Sequence, residues 1–457
     1  MMKKKLLALA LTGLMAGGSL LMPAMAETAA QPSGQTTAEY ALPANTKRID
    51  EYAFAGNTSL VSVKIPDGVT AIGDYAFAGC TSLQEVILPV GLTEIGAHAF
   101  DGCEALVNIG CPAEEEAVDD ADAPEAASEQ PKEEISDLGG AVRTIFGVFR
   151  NFDSLEAADE EENAAEEDAL LATAGGLRNV VTIGDYAFRG CRSLVDVGEM
   201  DNVTIIGKNA FSECESLEYI GDMPELVSMG ASAFSCHYDY SSENSTDETA
   251  YCTSLKAIGN MPRLEAIEKN TFYGCSSLKS IGELNSVKSI GVCAFASCES
   301  LETIGNTAEL MTIEERAFAS CASLKSLGDM PKLRSIGEKA FFNCASLESI
   351  GDMPELTVID EGAFGTYPMS SNGKGFLQFA SCASLKKIGN ISKLKIIGNE
   401  AFKGCDELES MGSMDSVTRI GNDAFLYCSS LTLCVLPDSY AEDYAKSNNI
   451  PYTYIED

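Results

Sequence analysis

Sixteen cysteines stand against two histidines and no tryptophan in a chain of 457 residues. Thiolates can serve as nucleophiles, metal ligands or disulfide partners, and each role demands its own spacing. No Cys-x-x-Cys occurs, which removes the common redox and zinc arrangements, and Cys236-His237 is an isolated pair. Twelve cysteines instead mark one recurring position: Cys80, Cys103, Cys191, Cys214, Cys252, Cys275, Cys298, Cys321, Cys344, Cys382, Cys405 and Cys428. A second recurring set carries oxygen: Glu199, Asp222, Asn260, Glu283, Asn306, Asp329, Asp352 and Asn390, mostly in Gly-Asp or Gly-Asn steps. Such side chains either bond the local backbone of a turn or offer a row of ligands to Ca²⁺. The first reading is adopted, with no metal or cofactor site assigned. Two histidines leave little for His-based catalysis, and neither a nucleophile elbow nor a phosphate-binding glycine loop is present.

What positions these residues is a 23-residue period. Phenylalanines recur at Phe54, Phe77, Phe100, Phe188, Phe211, Phe234, Phe272, Phe295, Phe318, Phe341, Phe364, Phe402 and Phe425, at intervals of 23 or of 23 plus an insertion. A fixed period of this size marks a solenoid, in which each unit buries its apolar face by stacking on its neighbours. In the unit 323–344, Leu324, Leu327, Leu333, Ile336, Ala340 and Phe341 point inward. Gly328-Asp329 and Met330-Pro331 punctuate it as turns. The expectation is a short strand near 324–327, a second near 333–336, and a tight turn at 340–344, giving about thirteen coils in a right-handed stack of parallel strands.

The pattern Cys-x-Ser-Leu-x-x-Ile, followed by Leu/Val-x-x-Ile-Gly-x-x-Ala-Phe-x-x-Cys, resembles the BspA-like leucine-rich repeats of bacterial surface proteins. It runs from Ile49 to Pro437 outside the insertions. The resemblance implies a repeat solenoid, a surface or secreted location and a recognition role, since members include adhesins for host matrix proteins. It says little about the ligand, because such folds are scaffolds.

Stacking decides how the cysteines read. Equivalent side chains on successive coils run parallel about 4.8 Å apart, beyond the roughly 3.5–4.5 Å between Cβ atoms that a disulfide needs. The expectation is a reduced structural ladder, each thiol a small hydrophobe and weak donor to an inward backbone carbonyl. Cys111 and Cys434 fall at inward positions and read as core, Cys293 occupies an exposed slot, and Cys236 opens an insertion. Glu218, Lys256, Lys279, Glu302, Lys325, Glu348, Lys386 and Glu409 repeat with changing sign after the repeat leucine, and are expected to pair between coils.

Insertions interrupt the period at three places. Residues 237–251 and 366–381 are loops at one edge, five units apart, and their aromatics Tyr238, Tyr240, Tyr251, Tyr367, Phe376 and Phe379 are candidate contacts for a protein ligand. An alternative is that they only cover the solenoid edge. The segment 113–177 holds 20 acidic and 3 basic residues and reads as mostly disordered. Within it Leu138, Val142, Ile145, Phe149 and Phe152 form a helix stripe over 138–152 that would dock on the solenoid or on a partner.

Residues 1–26 combine Lys3, Lys4 and Lys5 with an apolar run and small residues near Ala26, the pattern of a bacterial secretory signal peptide. Residues 27–48 form an N-terminal flank, repeats 1–3 occupy 49–112, repeats 4–13 occupy 178–437, and 438–457 closes the array. No later stretch is long and apolar enough for a membrane span. A net charge of −38, from 69 acidic and 31 basic residues, excludes nucleic acid and anionic membrane surfaces as partners. The reading is a secreted or cell-surface, non-enzymatic, monomeric module that binds a host matrix or bacterial surface protein. A structural spacer and a carbohydrate-processing accessory are the alternatives.

Overall fold

The computed structural model describes residues 39–110, 176–235, 254–365 and 381–455. Two ladders of parallel strands run through them. One begins Glu39↔Ser62↔Glu85↔Asn108, crosses to Asp196 by a bridge, and continues through Tyr219↔Ala257↔Ser280↔Thr303 and Ser326↔Ser349↔Lys387. The other runs Ala71↔Glu94↔Thr182↔Ile205↔Ser228, then Ala266↔Ser289↔Thr312↔Ser335↔Val358↔Ile396↔Arg419. Each step is one repeat, so the insertions are bypassed without a change of register. Most strands are only two residues long, such as Ser326–Leu327 and Ser335–Ile336, shorter than the sequence pattern suggests. A coil of 23 residues must turn several corners, and pairing survives only between them. The glycines at these corners answer to close approach of coils: a Cβ on Gly351 would lie 2.6 Å from the backbone of Gly328 and Asp329.

One core fills the stack. The phenylalanines form a column of near-parallel rings, with centroids 5.0–5.6 Å apart from Phe54 to Phe425. That offset stacking adds to their area burial. Leucine and isoleucine columns on both strand ladders complete the interior. Leu177 is fully buried as part of the fourth coil, so it belongs to the repeat and not to the acidic insertion.

Backbone hydrogen bonds between coils take two directions. At residues flanking the two-residue strands a coil donates to the one before it, as in Gly337 N–H to Ile313 O (2.8 Å) and Glu348 N–H to Lys325 O (2.8 Å). At the corners each coil donates to the one after it, as in Met330 N–H to Asp352 O (2.9 Å) and Phe341 N–H to Ala363 O (2.8 Å).

The helix Tyr440–Asn448 closes the C-terminal end. Ser439 caps it by accepting from Glu442 N–H, and Asn449 ends it in the left-handed conformation. Tyr444 meets Phe425 edge-on at 6.2 Å, and the Tyr452–Tyr454 strand pairs with Leu433–Val435. Cys434 is half-buried on that strand with its Sγ 3.6 Å from Thr453 Oγ1, so it is not a core residue: it points outward between inward Leu433 and Val435. Glu442 is nearly inaccessible and accepts from Lys446, the Tyr454 hydroxyl and Asp438 N–H, which together hold its carboxyl at about 2. A depressed carboxylate stabilises the fold above its ordinary value of 4.5, and that contribution is lost as pH falls through about 2. Glu442→Gln should therefore lower the melting temperature of the end coils at pH 7. The gap from the parent chain should close as pH is taken from about 4.5 towards 2; thermal melts across that range check it.

Candidate interaction surface on the turn edge

Every described coil turns its third edge through the residues around its phenylalanine, and the residue two positions before it adopts a left-handed conformation. Tyr52, Tyr75, His98, Tyr186, Asn209, Ser232, Asn270, Cys293, Arg316, Lys339, Glu400 and Asp423 all have φ between 52° and 58°, with Gly362 completing the row. Non-glycine residues seldom accept this conformation. Here the neighbouring coils enforce it, because Phe N–H must reach the carbonyl of the next coil. The consequence is a row of varied side chains held one per coil on an outward edge.

At the N-terminal end that row is aromatic. Tyr52, Tyr75, His98 and Tyr186 stack face to face at 4.8, 4.4 and 4.6 Å, with planes within 11° of parallel. His98 Nδ1 lies 2.7 Å from Asp101 Oδ2, and Asp101 also accepts two hydrogen bonds from Arg189 at 2.9 and 3.0 Å. The Arg189 guanidinium sits 5.3 Å from the Tyr186 ring centre, and Lys208 Nζ sits 5.8 Å from it. Because each ring covers the next, the stack offers edges and not open faces, and it does not provide the flat platform on which a sugar ring would lie.

Beyond Tyr186 the edge is concave. A groove of about 900 Å³ runs along coils four to nine, floored by Asn209, Ser232, Asn270 and Cys293, and Ser235 lies in its wall immediately before the first 15-residue insertion. Arg189, Lys208, Lys269 and Arg316 line it against only Glu213 and Glu315. It is thus locally cationic in a chain of net charge −38. The candidate contacts Tyr238, Tyr240, Tyr251, Tyr367, Phe376 and Phe379 lie outside the described residues, as do the helix stripe of 138–152, Cys111, Cys236 and Cys252. Ser235 and Gly365, from which the two insertions depart, both lie on the turn edge next to a buried phenylalanine. The row before the phenylalanine was readable as Tyr, Tyr, His, Tyr at the repeat spacing. Its left-handed backbone and the groove were not, since they depend on how the coils pack.

Beneath this edge lie the thiols. In each of the eleven described ladder positions the cysteine Sγ donates to the carbonyl of the phenylalanine in the preceding coil, at 3.0–3.6 Å. That carbonyl also accepts from its own coil, as Phe77 O does from Cys80 N–H (3.1 Å), so the thiol supplies a second donor. Burial pushes the thiols of Cys191, Cys298 and Cys405 well above the usual range and those of Cys275 and Cys428 up to about 12, so none of these five is a thiolate nucleophile at neutral pH.

The oxygen-bearing turn residues bond their own backbone, as the sequence suggested, at Asn306 and Asn390, whose Oδ1 atoms accept from Ala308 N–H (3.1 Å) and Ser392 N–H (3.0 Å), but not at every coil. Asp222, Asp329 and Asp352 instead accept from the N–H of the equivalent residue one coil later, at 2.7–2.8 Å. Their oxygens face the next coil because the Gly-Asp corner opens along the stack. Among the described residues no three His, Cys, Asp or Glu converge on a metal site. The changing charges after the repeat leucine pair in part: Lys256 with Glu218 (2.7 Å) and Lys325 with Glu302 (3.7 Å), whereas Lys386 meets Glu407 (3.5 Å). A column not foreseen joins Arg263 to Glu225, Lys332 to Glu309 (2.5 Å) and Lys393 to Glu355 (2.5 Å) beside the Met-Pro corner. These pairs are exposed and each contributes at most about 1 kcal/mol.

Parallel strands in register, a 23-residue repeat and a buried leucine and phenylalanine core define a solenoid of leucine-rich repeats. The chain belongs to the BspA-type family of these: the model of the BspA type leucine rich repeat region matches residues 34–121, 176–247, 243–369 and 375–450 in six copies. Among solved structures it is similar to a leucine-rich repeat protein from Bacteroides ovatus, 21% identical over 92% of each chain with a TM-score of 0.52, a likeness of fold. It also matches a leucine rich cell surface protein from Faecalibacterium prausnitzii, 24% identical over 89% of each chain with a TM-score of 0.38. No curated protein matches the chain. Among the described residues no helix is long and apolar enough to cross a membrane.

Proposed function

We propose that this chain is an exported, non-enzymatic recognition protein that works as a monomer and binds a protein ligand on its turn edge. The ligand class is a host matrix or bacterial surface protein. The observation that supports this is the juxtaposition on one edge of a concave groove, a row of outward side chains and the departure points of both 15-residue insertions. Concave surfaces of stacked repeats are where such proteins engage partners. Loops on a rigid scaffold add specificity, and Tyr238, Tyr240, Tyr251, Tyr367, Phe376 and Phe379 would supply aromatic anchors. The departure points are five coils apart, roughly 24 Å, within the footprint of one protein interface.

The test is deletion of 237–251 and of 366–381, separately and together, followed by binding of the purified chains to matrix proteins and to bacterial cells. Loss of one or more ligands by a deletion chain that melts like the parent supports recognition. Binding untouched by either deletion would favour a spacer.

A further inference from the structure

The cationic groove has a spacing of its own. Lys208 and Lys269 occupy the same repeat position two coils apart; two coils later that position holds Glu315, with Arg316 the next residue. The intervening coils place Ala231 and Val292 at that position. Among the described residues neither Lys208 nor Lys269 has a carboxylate partner, whereas Arg316 is paired with Glu315 at 2.9 Å. Coils repeat at about 4.8 Å, so the cations fall about 9.6 Å apart.

A peptide in the polyproline II conformation rises about 3.1 Å per residue with three residues per turn, and brings every third side chain to one face about 9.3 Å apart. A β-extended peptide cannot match this, because its third residue points to the opposite face. We infer that the groove takes an acidic protein segment in polyproline II conformation, with a carboxylate at every third position. Two successive carboxylates would meet Lys208 and Lys269, while the two residues between them lie over Ala231. Tyr273, which lines the groove, supplies aromatic surface on which prolines dock. The net negative charge of the chain does not forbid this. At about 0.15 M salt the screening length is about 8 Å, so the nearby cations set the potential inside the groove.

The inference rests on the recognition reading but is tested apart from it. Fluorescein-labelled (Glu-Pro-Pro)4 is titrated with the full chain by anisotropy, beside a peptide of the same composition with its glutamates in one block, (Lys-Pro-Pro)4, and a sulfated oligosaccharide. The regular acidic peptide should bind, and the blocked one should bind about tenfold more weakly. The K208E/K269E variant should lose about tenfold or more in affinity while melting like the parent, and K386E/K387E on the first strand ladder should bind as the parent does. Equal binding of the blocked peptide, or full binding by K208E/K269E, overturns the inference. So does preference for the oligosaccharide or for the lysine peptide. If no peptide binds while deletion of the insertions still abolishes adhesion, this inference fails and the recognition reading stands. If adhesion survives the deletions as well, both fail.

Discussion

Replacing Phe295 by alanine is expected to lower stability by about 3–5 kcal/mol, among the largest effects available to a single substitution in this chain. The ring is fully buried in a middle coil and stacks on Phe272 at 5.2 Å and on Phe318 at 5.1 Å. Truncation removes its own burial, leaves a cavity that flanking backbone turns cannot close, and deprives two further rings of a face. Because each coil touches only its neighbours, the loss concentrates at one interface, and denaturant unfolding should split into two transitions. Phe54 in the first coil is only partly buried with one phenylalanine beside it, so Phe54→Ala should cost about 1–2 kcal/mol. Circular dichroism in urea measures both. Equal losses at the two positions would mean that the column does not act as a cooperative core.

Alkali is the second strong lever. We propose that the ladder thiols are reduced, and burial holds those of Cys191, Cys275, Cys298, Cys405 and Cys428 above their ordinary range. A thiol whose folded value is raised contributes stability in full below its unfolded value near 8.5, and that contribution is lost as pH climbs towards the folded value. For Cys275 and Cys428 the folded value is about 12. Each of these two loses about 1.4 kcal/mol per pH unit in that window, and the raised thiols of Cys191, Cys298 and Cys405 act in the same direction. The chain should stay folded to about pH 9 and lose stability steadily as pH is raised above it. A chain with these five cysteines changed to serine, if it folds, should have its alkaline midpoint shifted up by roughly one pH unit or more. Iodoacetamide should leave the ladder unmodified in the native chain at pH 8 and label it after denaturation without reductant. A denatured chain showing few free thiols would establish disulfides instead.

The repeat was legible because its two strongest markers, Phe341 and Cys344 and their equivalents, must be the same residue in nearly every coil to fill the same space. The two strands and the turn followed from Leu324, Leu327, Leu333 and Ile336 for the same reason. Less of the candidate surface could be read. The left-handed row accepts Tyr, His, Asn, Cys, Arg, Lys, Glu and Asp, since only its backbone is constrained, and so it leaves no fixed letter in the sequence. The partners of Asp222, Asp329 and Asp352 lie one coil away, which depends on how far a Gly-Asp corner opens along the stack. Cys434 was misplaced because the closing strand alternates its faces, whereas the repeat cysteines sit in turns.

The two directions of inter-coil hydrogen bonding have an electrical consequence. Beside the two-residue strands peptide N–H groups point back along the stack, within the strands they alternate, and at the Met-Pro and phenylalanine corners they point forward. Their dipoles largely cancel, so thirteen coils accumulate no field along the axis, unlike a helix of similar length. A cut between two described coils would bare donors and acceptors side by side. A blunt end of that kind carries the same mixture wherever the array stops. A 23-residue module can therefore be added to the array, or removed from it, without an electrostatic penalty that grows with its length.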